Sequence, residues 1–336
     1  MSQGARTAAN GSQTAANGVS AAPAPTALDT GDIPGLVRAG DRRALARVIS
    51  WVENGDPRTR SVLRELKPRA TASRVIGLTG APGAGKSTVT SALVRAFRGR
   101  GTRTAVLAVD PSSPFTGGAL LGDRIRMQEH ATDGGVFIRS MGSRGQLGGL
   151  AAATPQAIRV LAAAGFEVIL VETVGVGQAE VEIASAADST VLLVVPGMGD
   201  SIQAAKAGVL EVADVLVVNK ADRPDTQATL RDLRAAVALA PGEWKPPIVP
   251  TVATAGEGVD DLVAALDKHD AWLDASGERS RRRLAMARDE VTALAFGALA
   301  RRLTVTDELA ARVADGRTDP LAAAEELLAA AGLAQD

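Results

Sequence analysis

The stretch Gly80-Ala81-Pro82-Gly83-Ala84-Gly85-Lys86-Ser87-Thr88 places three glycines, one lysine and two adjacent hydroxyls within nine residues. Glycine, four residues, then glycine-lysine-serine is the pattern of a phosphate-binding loop. Gly83 and Gly85 let the backbone curl so that its N–H groups point inward. A helix starting here offers its unpaired N–H groups and positive dipole end to the same anion. Lys86 is expected to reach the β- and γ-phosphates and to be a catalytic charge, and the Ser87 hydroxyl to ligate Mg2+. Gly80, Ala84 and Thr88 complete the expected phosphate cradle. The flanks agree with this reading. The apolar run "RVIGLTG" precedes the loop, and "STVTSALVRAFR", with apolar residues at helical spacing, follows it.

A second motif names the base. In "VLVVNKADRPD" a buried-type strand ends on Asn219-Lys220-Ala221-Asp222. Guanine presents N1–H and its exocyclic amino group as paired donors, and the Asp222 carboxylate can accept both. Adenine lacks that pair, and the mismatch typically costs a few kcal/mol, about a hundredfold in preference. Asn219 is expected to reach the N7 side of the base or to brace the loop. The Lys220 stem is expected to lie along the base plane and hold the phosphate loop. "TVATAGEGVDDL" reads as a final base-contact loop with the Ala253 N–H toward O6, and Val252 stands where a serine is more usual.

Three acids stand at or near strand ends: Asp110 in "TAVLAVDPSSPFTGG", Asp123 in "LGDRIRM" and Glu172 in "VILVETVGVGQAE". Carboxylates there can hold Mg2+ directly or through its waters, so all three are candidate metal and catalytic residues. Glu172 opens "ETVG" where many GTPases carry Asp-x-x-Gly. Gly175 and Gly177 would let that loop move with the γ-phosphate. "VPGMGDSIQAAKAG", residues 195–208, reads either as a third mobile segment or as an ordinary connection with Asp200 as a helix cap.

These groups need a scaffold. Short apolar strands are expected at 74–79, 104–109, 136–139, 167–172, 190–195, 214–218 and 247–252, with helices at 86–98, 155–164, 201–211, 225–239 and 258–273. The alternation implies an α/β fold of the P-loop NTPase type, a mostly parallel sheet flanked by helices, with helical N- and C-terminal extensions. In such sheets ligands bind beyond the strand C-termini, where the motifs above fall. The expected organisation is a disordered tail at 1–26, an N-terminal helical segment at 27–73, the P-loop GTPase domain at 74–275 and a C-terminal helical dimerisation arm at 276–336. In that arm, 277–303 reads as one long helix with apolar residues at Leu284, Val291, Leu294, Ala295 and Leu299. It either packs back on the sheet or joins a second subunit. Its cluster Arg279, Arg281, Arg282 and Arg283 reads as a solvated helix face.

Composition narrows the partners. The 336 residues carry a formal net charge of −1, which gives no reason to expect nucleic-acid binding. There is no cysteine, and there are only two histidines, His130 and His269. A thiolate or multi-histidine site for a soft or borderline metal such as nickel is therefore not expected. No signal-peptide pattern and no membrane-length apolar run is seen, which makes a cytoplasmic protein the default.

Taken together, "GAPGAGKST", "VDPSSPFTGGALLGDRIRM", "FIRSMGSRGQLGGLAAAT", "VETVGVGQAEVEIA", "PGMGDSIQAAKAGVLEVADVLVVNKAD" and "TVATAGEGV" resemble the methylmalonyl-CoA mutase-associated GTPases, over roughly residues 30–330. The resemblance implies a homodimeric GTPase using GTP/GDP and Mg2+. It also implies a partner, an adenosylcobalamin-dependent acyl-CoA mutase, whose cofactor loading it gates and which it protects. Slow intrinsic hydrolysis, raised by the mutase, is implied as well, and so is a third switch at 197–208. Arg144 lies in a matched segment without an assigned role. Asp267-Lys268-His269 approaches the cobalamin-ligating Asp-x-His-x-x-Gly pattern but lacks its glycine and sits in an expected helix. His269 is accordingly read as a surface helix residue, and the cofactor as the partner's. The competing reading is a small-molecule kinase using the same phosphate loop.

Overall fold

Runs such as Val168–Val171 and Val215–Val218 have no polar face to turn to water, so they fold where helices cover both sides of a sheet. In the computed structural model, seven strands form that sheet: β1 (Arg74–Gly80), β2 (Thr104–Asp110), β3 (Val136–Gly142), β4 (Val168–Thr173), β5 (Ser189–Val194), β6 (Val215–Asn219) and β7 (Ile248–Thr251). Their order is β3-β2-β4-β1-β5-β6-β7, and every pairing is parallel. All seven expected strands are present, with β3 running on to Gly142. The structure describes residues 32–66, 73–110, 128–130, 132–142, 149–173, 186–197, 212–300 and 302–333, with backbone alone at 110, 128 and 149–152. The expected tail at 1–26 and helix at 201–211 lie outside the described residues.

The helices divide between the two faces. α1 (Ile33–Arg38), α2 (Arg42–Glu53), α3 (Arg58–Glu65) and α5 (Gly149–Ala163) share one core with Leu107, Val109, Phe137 and Ile169. The N-terminal helices thus bury their apolar stripe against the sheet domain. On the opposite face α4 (Lys86–Gly99) and α7 (Val259–Ala275) pack Leu93, Phe97, Leu262 and Leu266 against Leu78, Val106, Leu170 and Val217. Leu230 and Leu233 of α6 (Thr226–Leu239) cover Leu192, Leu216 and Val218. α5 begins earlier than the expected 155 and takes Pro155 into its interior.

α8 (Glu278–Ala300), α9 (Asp307–Ala314) and α10 (Pro320–Ala330) follow, and here two expectations are corrected. The arginine cluster is not a solvated face. Arg282 makes two bonds to the Asp214 carboxylate, at 2.8 and 2.9 Å, and Arg283 reaches Asp188 at 3.1 Å. Arg279 bonds Asp270 at 2.9 Å, and only Arg281 stays largely exposed. Asp188 and Asp214 are buried, and each also accepts a backbone N–H, from Val75 and Thr190, so each needs a cation in place of lost water. Burial raises the Asp214 pKa, but hydrogen bonds from His269 and Arg282 outweigh it and hold the group below its ordinary value.

His269 is likewise not on the surface; it is fully buried. Its Nδ1 lies 2.8 Å from Ser189 Oγ and its Nε2 3.2 Å from Asp214 Oδ1, and its ring clusters with those of Trp244 and Trp272, which also touch each other. Leu262, Leu266, His269 and Leu273 form one helical stripe on the sheet-facing side of α7; Ser189 Oγ partners the buried imidazole at Nδ1, and the Asp214 carboxylate lies beside Nε2. So engaged, His269 is not a cofactor ligand. No helix among the described residues is long and apolar enough to cross a membrane.

Candidate nucleotide site

The phosphate loop leaves β1 at Gly80 and enters α4 at Lys86. Two glycines are demanded by the geometry. Gly80 has φ +142° and a Cβ there would meet Leu193 O at 2.4 Å; Gly85 has φ +91° and a Cβ would meet Asn219 Nδ2 at 2.3 Å. Lys86 is buried, and its Nζ donates to Gly80 O at 2.6 Å and Ala81 O at 3.1 Å, so the loop is wrapped around the ammonium. Thr88 follows on the first turn of α4, half-buried.

Ser87 Oγ donates to Glu172 Oε1 at 2.6 Å, and both residues are buried. Register explains the meeting: Leu78 of β1 pairs with Glu172 of β4, which pairs with Ala108 of β2. A hydroxyl and a carboxylate held together at the loop form the hard-oxygen set that Mg2+ prefers, so these two residues fit the ion. Asp110 is the last residue of β2, in register with Gly142. Asp123, Arg144, Gly175, Gly177 and the segment 198–208 lie outside the described residues.

The turn Asn219–Asp222 grips the phosphate loop. Asn219, buried at the end of β6, donates from Nδ2 to Ala84 O at 2.8 Å. Lys220 Nζ donates to Gly83 O at 2.9 Å. Lys220 has φ +59°, the one described non-glycine residue with positive φ, so the turn is held in a sparsely populated conformation. Asp222 is exposed just beyond it. Ala253, placed on the O6 side by the sequence, directs its N–H toward Asn219 Oδ1 at 3.4 Å.

Thr251 was not legible as a site residue. Its Oγ1 donates to Asn219 Oδ1 at 3.1 Å and its carbonyl accepts Ala221 N–H at 3.0 Å. The available signal was a threonine closing a strand two positions before Ala253. With Thr251 donating to Oδ1 and Ala84 accepting from Nδ2, the Asn219 amide has one favourable orientation.

Comparison with known proteins decides the family. Residues 45–308 match the model of the methylmalonyl Co-A mutase-associated GTPase MeaB. The chain belongs to the MeaB family. A relative from Pyrococcus abyssi, named as a GTPase, is 45% identical over 303 residues, covering 87% of this chain and 94% of its own. The methylmalonic aciduria type A homolog, mitochondrial, of Mus musculus is 36% identical over 270 residues, 74% of this chain and 65% of its own. The crystal structure of a LAO/AO transport system kinase has a TM-score of 0.67 at 26% identity, covering 88% of this chain and 95% of that one. This MeaB family member is a P-loop GTPase that hydrolyses GTP to GDP and phosphate.

Proposed function

We propose that this GTPase is a chaperone that gates adenosylcobalamin loading on an acyl-CoA mutase, such as methylmalonyl-CoA mutase, and protects or reactivates that enzyme. The family match over residues 45–308 carries the reading, because that family is described by its association with the mutase. The relation to the methylmalonic aciduria type A homolog supports it.

In this reading Lys86 and the loop N–H groups neutralise charge on the β- and γ-phosphates while water displaces GDP from the γ-phosphorus. Ser87 and Glu172 would hold Mg2+, with Asp110 and Asp123 as the further acids of the site. The ion, when bound, supplies positive charge to the phosphate oxygens. Asp222 selects guanine, and Asn219 and Lys220 make base recognition and phosphate-loop shape one unit. Segments 173–177 and 195–208 serve as the switches a mutase would sense.

The protein acts as a homodimer joined by its C-terminal helices. Leu284 (56% exposed), Val291 (67%) and Phe296 (66%) of α8 and Leu321 (70%) of α10 stand in water, apolar side chains that a second subunit would cover. A cytoplasmic location agrees with this. The experiment is to purify the protein with cobalamin-dependent mutases of its own cell and to follow complex formation and GTP turnover together. Nucleotide-dependent binding and accelerated turnover with one of them is expected. Phosphorylation of a small acceptor, with no mutase bound, would replace the chaperone reading by the kinase one that the name of the solved LAO/AO transport system kinase suggests.

A further inference from the structure

Glu53 is the last residue of α2, where the helix dipole disfavours a carboxylate. Its side chain is nevertheless only 4% exposed. It is spent on the sheet: Oε1 accepts the backbone N–H of Gly142 at 3.1 Å, and Oε2 accepts Arg139 Nη2 at 3.1 Å. The same Arg139 nitrogen donates to Ser50 Oγ at 2.7 Å, one turn earlier on α2. Arg139 and Gly142 both belong to β3, the edge strand. The outward N–H groups of an edge strand have no further strand to pair with. Here a carboxylate from the N-terminal helix takes the strand's last one, with the stronger bond that a charged acceptor gives.

That end of β3 faces the nucleotide side. Gly142 is in register with Asp110, the final residue of β2. Ala108 of β2 is in register with Glu172, the partner of Ser87. Position 110 therefore falls on the same sheet face as Glu172, one pleat repeat closer to the C-terminal edge. β2 is flanked there by β4 on one side and by β3 on the other.

We propose that Glu53 is a positioning residue for GTP hydrolysis. It pins the C-terminal end of β3 and, through the paired ladder, the place of Asp110 beside the phosphate site. The N-terminal helices thus act as a strap that keeps the outer half of the sheet in catalytic register. The role is separate from guanine recognition, which sits across the sheet on β6 and β7. The inference rests on reading Asp110 as a metal-site acid.

The test compares full-length E53A, E53Q, S50A and D110N with wild type. Three quantities are read: kcat and KM for GTP over a Mg2+ titration, the GDP dissociation constant, and the thermal midpoint. E53A is expected to lower kcat about tenfold and to raise the Mg2+ needed for half-maximal rate, while the GDP dissociation constant stays within about twofold. E53Q keeps an acceptor for the Gly142 N–H and recovers most of the rate. S50A, which touches Arg139 but not Gly142, keeps the wild-type rate. A folded E53A with wild-type kcat and Mg2+ dependence, alongside an impaired D110N, would overturn the role of Glu53 alone. A D110N with unchanged metal dependence would remove the reading of Asp110 on which the inference stands.

Discussion

Replacing Thr251 by valine removes one hydroxyl and nearly nothing else. Valine keeps the volume and the β-branch, and the backbone bond from Ala221 N–H to residue 251 is untouched. What is lost is the 3.1 Å bond to Asn219 Oδ1, between residues exposed by only 1% and 3%. A buried acceptor stripped of its donor costs about 1–3 kcal/mol. The Ala253 N–H remains within 3.4 Å of the same oxygen, so the lower end, about 1–1.5 kcal/mol, applies. The Asn219 amide is then held less firmly in its orientation, which weakens its hold on Ala84 O. If most of this cost falls on binding, GDP affinity drops about five- to tenfold. Stopped-flow release of a fluorescent GDP analogue, with calorimetry for the equilibrium constant, measures it. Thr251→Ser keeps the donor and should stay within about threefold of wild type. Wild-type GDP affinity in Thr251→Val, or equal losses in both variants, would show that Asn219 does not need Thr251.

Three further outcomes follow from the geometry. Gly85→Ala should abolish measurable nucleotide binding, since its Cβ would lie 2.3 Å from Asn219 Nδ2 at a φ of +91°; isothermal calorimetry decides, and retained binding would mean the two loops move apart freely. Glu172→Gln should weaken the Mg2+ dependence of GTP hydrolysis while GDP still binds, and a wild-type metal titration would refute a role near the ion. Asp214 has a folded pKa held below the ordinary 3.8, so its contribution to stability is full above that value and is lost as pH falls through the lower folded one. Melting temperature recorded between about pH 5 and 2.5 should therefore fall less steeply in Asp214→Asn than in wild type, and parallel curves would mean the contacts with His269 and Arg282 carry no linkage.

The sheet was legible because most of its strands are continuous apolar runs bounded by turn residues, and β3, where Arg139 and Ser140 interrupt the run, is the one whose end ran past the expected 139. The phosphate loop and the turn proposed to read the base stand out for a different reason: the chemistry assigned to them needs particular residue types at fixed spacing, so Gly85-Lys86-Ser87 and Asn219 to Asp222 announce themselves locally. Contacts joined across the fold gave no such signal. Arg282 and Arg283 look like any charged helical turn until Asp214 and Asp188, both at the starts of strands, come to rest beneath them. His269 was misread because one polar residue was weighed alone, although it shares the spacing of Leu262, Leu266 and Leu273. Thr251 and Glu53 act only through a residue distant in sequence, Asn219 in one case and Gly142 in the other.

The most direct measurement of the site is nucleotide selection by calorimetry, comparing GDP, ADP and XDP on wild type and on Asp222→Asn. If Asp222 reads the guanine donors from the turn that Asn219 and Lys220 tie to the phosphate loop, wild type binds GDP about a hundredfold or more tighter than ADP. Asp222→Asn should then lose GDP and gain XDP, which carries a carbonyl where guanine has its amino group. Equal affinity of wild type for GDP and ADP, or an Asp222→Asn variant that still prefers GDP, would contradict the account.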